Sequence, residues 1–154
     1  MFRKTSLSLI FNNKNQLLLC MKKRWLWEWK FNWPWGKPRD WEDIRDTAVR
    51  ETFEETGLDI SWNLKQVWVL YFDYKDKPEW NTKTHLFLSK NVTQIPVETE
   101  EMKPYFFDID DIPYDKMWDD DSVWMPRILV WERDIEYNFY FDKNSKLEKY
   151  ELIK

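Results

Sequence analysis

Two glycines in 154 residues leave this chain few places where its backbone can pass through positive φ without steric cost. Average usage of about 7% would give roughly eleven. Tryptophan, ordinarily among the rarest residues, occurs twelve times. A Trp held in the left-handed region costs roughly 1–2 kcal/mol before any clash is counted. Five such sites would cost about 5–10 kcal/mol, against a total stability of about 5–15 kcal/mol for an ordinary domain. Whatever this chain folds into, its turns have to be made with almost no glycine.

In other respects the composition is that of one ordinary domain, expected to span residues 1–154. Apolar residues at 43% and aromatics at 19% can build a core, and charged residues at 34% argue against a membrane protein. No apolar run approaches the roughly 20 residues of a membrane span. Met1-Phe2-Arg3-Lys4 leads into a short alternating run and not into a signal-peptide core. One cysteine, Cys20, excludes an internal disulfide and fits a reducing, cytoplasmic setting. One histidine, His85, argues against a His-based zinc site or a Ser-His triad and reads as a strand residue without catalytic role. A net charge of −4 gives no broad basic footprint for a nucleic-acid polymer. An anionic ligand would need a metal or a few placed Lys and Arg.

Leu7, Leu9 and Phe11 alternate with Ser8 and Ile10; Asn12-Asn13-Lys14-Asn15 reads as a turn, and 17–21 as the returning strand of a hairpin. Residues 22–42 are basic, then Trp-rich with Pro, and without period, which predicts a loop. Residues 43–56 read as a helix. Asp43 is its N-cap with Asp46 three residues on, and Gly57 stands where a glycine ends a helix. Ile44, Ala48 and Thr52 share one face, with Val49 and Phe53 beside them. Strands are expected at 58–74, 84–88 and 105–109. A helix is expected at 123–133 with Pro126 in its first turn, then a closing hairpin of 138–142 and 147–152. The order has no βαβ rhythm and favours α+β with a mixed sheet.

The helix carries Glu51, Glu54 and Glu55, whose spacings of three and four put them on one face. Such a triplet in an arbitrary helix is a solvated acidic face. Here it follows Arg50 and Glu42 and ends at Gly57, and clustered hard oxygen ligands suit Mg²⁺ or Mn²⁺ bridging to phosphates. Gly36, Glu42, Arg50, Glu51, Glu54, Glu55, Gly57 and Leu58 fill eight of the nine fixed positions of a 23-residue pattern: Gly, five residues, Glu, seven residues, then Arg-Glu-U-x-Glu-Glu-x-Gly-U, with U bulky and aliphatic. The segment resembles the Nudix box. The departure is Thr52, where U is expected. The resemblance implies a Nudix fold, an α/β/α sandwich with a mixed β-sheet between helices, and a Mg²⁺-dependent (Mn²⁺ possible) pyrophosphohydrolase. By it, Glu51 and Glu55 hold metal, Glu54 assists as ligand or base, Arg50 orients Glu51, and Glu42 closes the loop–helix corner. It also implies metal contacts from the Trp35 backbone carbonyl next to Gly36 and from Glu101, with Glu100 as a weaker substitute.

The likeness continues through Met21-Lys22-Lys23-Arg24, Asn32, Pro96-Val97-Glu98 and Met117 to Trp124. There the chain is similar to the MutT-like branch, and within it to the oxidised-purine nucleoside triphosphatases acting on 8-oxo-dGTP. That similarity implies that Asn32, Asp120 and Asp121 read a purine edge and Trp118 stacks on the base. Phe72 and Trp124 would line the pocket, and Lys22 would lie near base or phosphates. The aspartate pair has its own logic: two carboxylates side by side among aromatics do not both ionise cheaply. One donates while the other accepts, and a shifted proton reads another tautomeric pattern. The competing reading is a solvated acidic loop at 119–121.

Against the glycine-rich pattern of that family, Trp25, Trp27, Trp29, Trp33, Trp35, Trp41 and Trp68 stand on glycine places, and Trp62, Trp80 and Trp131 lie in turn-like contexts. Only Trp118 and Trp124 stand where the family has Trp. UGA codons, which some bacterial lineages translate as Gly, would give this pattern if translated as Trp. The alternative is a genuine Trp-rich surface for peptides or polyproline. If the tryptophans are real, the chain as written is expected to fold poorly or lack activity. The expected function is hydrolysis of oxidised purine nucleoside triphosphates to monophosphate and pyrophosphate, sanitising the nucleotide pool, by a monomer acting on a small-molecule substrate. The rivals are another nucleoside diphosphate-X substrate and a non-catalytic Nudix-like module.

Overall fold

In the computed structural model, residues 1–23 and 29–154 are described; Arg24, Trp25 and Trp27 lie outside them. Among the described residues, nine strands form one mixed sheet in the order β3-β2-β1-β6-β5-β8-β9, with β4 on β1 and β7 on β2. Strand β1 (Arg3–Asn12) runs parallel to β6 (Thr82–Val92), and β5 (Lys65–Tyr74) is parallel to β8 (Ile135–Phe141) and antiparallel to β6. At its far end β1 meets β2 (Leu17–Lys22) through Phe11 and Leu17. At its near end it pairs instead with β4 (Trp35–Gly36). The sheet therefore splits. Strand β2 turns away to pair with β3 (Phe31–Asn32) and β7 (Met102–Phe107).

The alternation along β1 decides the layers. Leu7, Leu9 and Phe11 join the cluster that packs Trp124, Met125, Ile128 and Leu129 of α2 (Asp121–Leu129). Ile10, on the opposite face, joins the cluster with Ala48 of α1 (Ile44–Thr56), Leu18, Cys20 and Phe87. The result is the expected α/β/α sandwich. The closing hairpin forms with β9 (Leu147–Leu152) as read, while β8 starts at Ile135, three residues before the expected 138.

Five expectations are corrected. Residues 58–64 are not strand. Leu58, Ile60 and Leu64 are buried, but Asp59 accepts from the Ser61 N–H at 3.0 Å and bends the chain there, so their alternation is that of a packed turn. Strand β6 extends to both sides of 84–88. Strand β7 begins at Met102, before 105–109, because it pairs only with β2 and an edge strand tolerates Pro104. Within 22–42 the short strands β3 and β4 interrupt the loop. Helix α2 starts at Asp121, where the Asp121 and Trp118 backbones and the Asp121 carboxylate exchange hydrogen bonds of 3.0 Å each. Pro126 therefore sits in the second turn, on the exposed face, and leaves the Ser122 carbonyl without its helical donor.

Candidate active site

Helix α1 is fixed at both ends by its own sequence. The Asp43 carboxylate accepts from the Asp46 N–H at 2.9 Å, and Gly57, at φ 75°, donates its N–H to the Phe53 carbonyl at 2.8 Å. The loop before it is tied by Arg50. Its Nε and Nη2 reach the two Glu42 oxygens at 2.8 and 2.9 Å, a bidentate clamp, and Nη2 also donates to the Lys37 carbonyl at 3.0 Å. Glu42 accepts further from Thr47 Oγ1 at 2.8 Å and the Arg39 N–H at 3.1 Å. Bonded first of all by Arg50, its carboxyl is held down at about 2. Glu42 thus closes the corner as expected.

The third guanidinium nitrogen, Arg50 Nη1, donates to Glu51 at 2.8 Å and to Glu54 at 3.3 Å. Arg39 holds the other Glu54 oxygen at 3.1 Å. Glu55 faces the same strand β4 and accepts the Trp35 N–H at 3.1 Å. Strand β4 comes so close that a Cβ on Gly36 would collide with the Glu51 side chain; only glycine fits there. Burial, and then the negative Glu51, push the Glu55 carboxyl up to about 8, while Lys22 pulls it down.

That cluster fits a divalent cation. A buried carboxylate beside a second one has to be neutralised by a proton or by a metal, and the donors are hard oxygens. Among the described residues no three acidic, His or Cys side chains converge in a closed metal cage, since Arg50 occupies Glu51 and Glu54 and the Trp35 N–H occupies Glu55. Glu101 stands just before β7, where its carbonyl accepts the Lys23 N–H at 2.8 Å. Lys23 Nζ pairs with Glu98 at 2.8 Å.

A second constellation lies where α2 meets β3. The Trp118 indole N–H donates to Asn32 Oδ1 at 2.9 Å, and the Trp124 indole to Asp120 at 3.1 Å. Asn32, Asp120 and Asp121 are all buried. Burial pushes Asp120 up to about 6, and burial with the neighbouring Asp120 charge pushes Asp121 well above the usual carboxylate range. Asp120 and Asp121 are therefore not solvated; of the run 119–121 only Asp119 is exposed. Trp33 is buried against Trp124, ring centroids 5.5 Å apart. Phe72 packs on Phe139 at 5.7 Å in the adjoining core.

A family model for the NUDIX domain matches residues 1–128. The chain belongs to the Nudix hydrolase family. The oxidized purine nucleoside triphosphate hydrolases of Mus musculus and Danio rerio are each 35% identical to it over 137 residues, 89% of this chain and 86% of theirs. A MutT protein from Bacillus halodurans shares the fold, with a TM-score of 0.84 at 20% identity over 99% of this chain and 98% of that one.

The Nudix helix thus brings together Arg50, Glu51, Glu54 and Glu55 with Trp35 and Gly36, and the second site brings together Asn32, Trp118, Asp120, Asp121 and Trp124. Sequence reasoning missed three neighbours of that second site. Lys30 lies 5.1 Å from the Trp118 ring. Tyr74 feels the Asp120 charge, and burial with that charge pushes its phenol up to about 12. The Tyr114 phenol is likewise raised, by burial and by Asp121. Nothing local in the sequence marks them, because each arrives from a distant element. Cys20 is buried, as expected of a packed strand residue, and His85 lies on β6 beside Gln66 at 2.9 Å.

Proposed function

We propose that the chain hydrolyses oxidised purine nucleoside triphosphates of the 8-oxo-dGTP type to the monophosphate and pyrophosphate, as a monomeric, cytoplasmic sanitiser of the nucleotide pool. The observation that carries the substrate assignment is the buried Asn32–Trp118–Asp120–Asp121 constellation on a Nudix frame. Two buried aspartates with raised affinity for protons supply a donor and an acceptor together, which suits a keto-purine edge. Trp118, its indole held by Asn32, supplies a flat face for the base. The mammalian and fish relatives named for this activity support the reading.

Glu51, Glu54, Glu55 and Glu101, with the Trp35 carbonyl beside Gly36, would hold Mg²⁺, or Mn²⁺. The metal supplies charge neutralisation at the polyphosphate and a more acidic water. Arg50 sets the orientation of Glu51 through its 2.8 Å bond, and Glu42 anchors Arg50. Glu54, the most exposed of the helix carboxylates in its ion pairs, is open to take the proton of an attacking water. Lys22 and Lys23 bring positive charge to the phosphate side. Hydrolysis breaks one phosphoanhydride P–O bond, the water oxygen becomes bonded to phosphorus, and the rest of the work is positioning.

The test is turnover of 8-oxo-dGTP beside dGTP and dATP with Mg²⁺, in a version with glycine at 25, 27, 29, 33, 35, 41, 62, 68, 80 and 131, and in Glu51→Gln and Glu55→Gln on that background. Each substitution is expected to lower kcat at least about a hundred-fold, the scale of one lost electrostatic group at a reaction centre. Asn32→Ala is expected to erase the preference for the oxidised base while leaving the Mg²⁺ requirement. Equal rates on all three nucleotides would move the chain to the nucleoside diphosphate-X reading. A folded glycine version that binds Mg²⁺ and turns over none would leave a binding module.

A further inference from the structure

Among the described residues, seven other than glycine have positive φ: Asn15, Trp29, Trp41, Asn91, Trp131, Asp134 and Ser145. Asn and Asp are familiar occupants of that region, because a short polar side chain bonds locally. Trp is not. Trp41, at φ 68°, has its ring fully exposed, so its indole gains no burial to offset the strain, and Trp29, at φ 71°, is largely exposed. Trp131, at φ 64°, ends α2 where a C-terminal glycine is the usual stop. Trp118 and Trp124 share none of these features.

Trp33 adds an independent observation. Its ring is buried beside Trp124, whose own indole donates to Asp120. The chain's own indole thus fills space beside the Trp124–Asp120 pair, where a bound base would lie.

We infer that the polypeptide made in its source organism carries glycine at 29, 33, 41 and 131, and by the same codon reading at 25, 27, 35, 62, 68 and 80, and that glycine at 33 is the specificity element that opens the base pocket. UGA codons read as Gly by the source ribosomes and written as Trp account for all ten at once. The pocket part rests on the proposed function; the residue identities do not.

Two measurements test it. Peptide sequencing by mass spectrometry of the protein purified from its source is expected to give Gly at the ten positions and Trp at 118 and 124. Trp at 29, 33, 41 and 131 would overturn the inference, whatever the chain's activity. In parallel, Trp33→Gly in the chain as written, checked for folding by circular dichroism, is titrated with 8-oxo-dGMP, dGMP and dAMP. At least about ten-fold tighter binding than the parent is expected, the fold-change that 1.4 kcal/mol of base stacking corresponds to. Tighter binding of all three nucleotides alike would uphold the opening of the pocket and remove the oxidised-purine assignment. A folded variant that binds none of them better than the parent would overturn the role of position 33.

Discussion

Thr52 offers a substitution whose sign runs against habit. It is fully buried in α1, and its hydroxyl has no hydrogen-bond partner among the described residues, at the position where the Nudix pattern takes a bulky aliphatic residue. A buried polar group left unbonded costs about 1–3 kcal/mol. Thr52→Val replaces that hydroxyl by a methyl of nearly the same shape, with little change in helix propensity. The expected gain is about 1–2 kcal/mol, at about 2–4 °C in Tm per kcal/mol for a chain of this size. Thr56, one helical turn on, is the control. Its hydroxyl donates to the Thr52 carbonyl at 2.6 Å and accepts the Leu58 N–H at 3.2 Å, so Thr56→Val is expected to lose about 1–3 kcal/mol. Urea melts read both, with the m-value as the check on two-state unfolding. A Thr52→Val variant no more stable than the parent at equal m would refute the claim that this hydroxyl is unsatisfied.

Glu42 is held at about 2 against an ordinary 4.5, chiefly by Arg50. Its stabilisation is therefore present above about pH 4.5 and lost as pH falls toward 2, and Glu42→Gln is expected to remove up to about 3 kcal/mol at pH 7 and flatten that acid limb. Asp120 behaves oppositely: burial raises it from 3.8 to about 6, so folding is favoured below pH 4 and penalised as pH rises through 6. Asp120→Asn is expected to flatten the decline between pH 4 and 6 in chemical melts. Trp41→Gly relieves a positive φ at a fully exposed ring and, after the flexibility that glycine adds to the unfolded chain, is expected to stabilise by about 0.5–1 kcal/mol. A drop in Tm would contradict it.

Helix α1 was legible because its signals are local: Asp43 caps it, Gly57 ends it, and the Glu spacing lies within one turn. Its boundaries came out within a residue. The start of α2 was not, since the capping exchange between Trp118 and Asp121 looks in sequence like an acidic loop. The stretch after Gly57 read as strand because Leu58 and Ile60 alternate, while the bend depends on the Asp59 side chain. The carboxylates at the Nudix helix were legible by spacing. The base-side neighbours Lys30, Tyr74 and Tyr114 were not, because they converge only through the sheet, and neither was the entry of the Trp33 ring into the same space.

The most direct test of the account is product-resolved hydrolysis of 8-oxo-dGTP with Mg²⁺, run on the chain as written and on a version with glycine at the ten positions. The account predicts monophosphate and pyrophosphate from the glycine version, faster than from dGTP, and weak or no turnover by the chain as written. Release of inorganic phosphate instead of pyrophosphate, or no product from a folded glycine version, would contradict it.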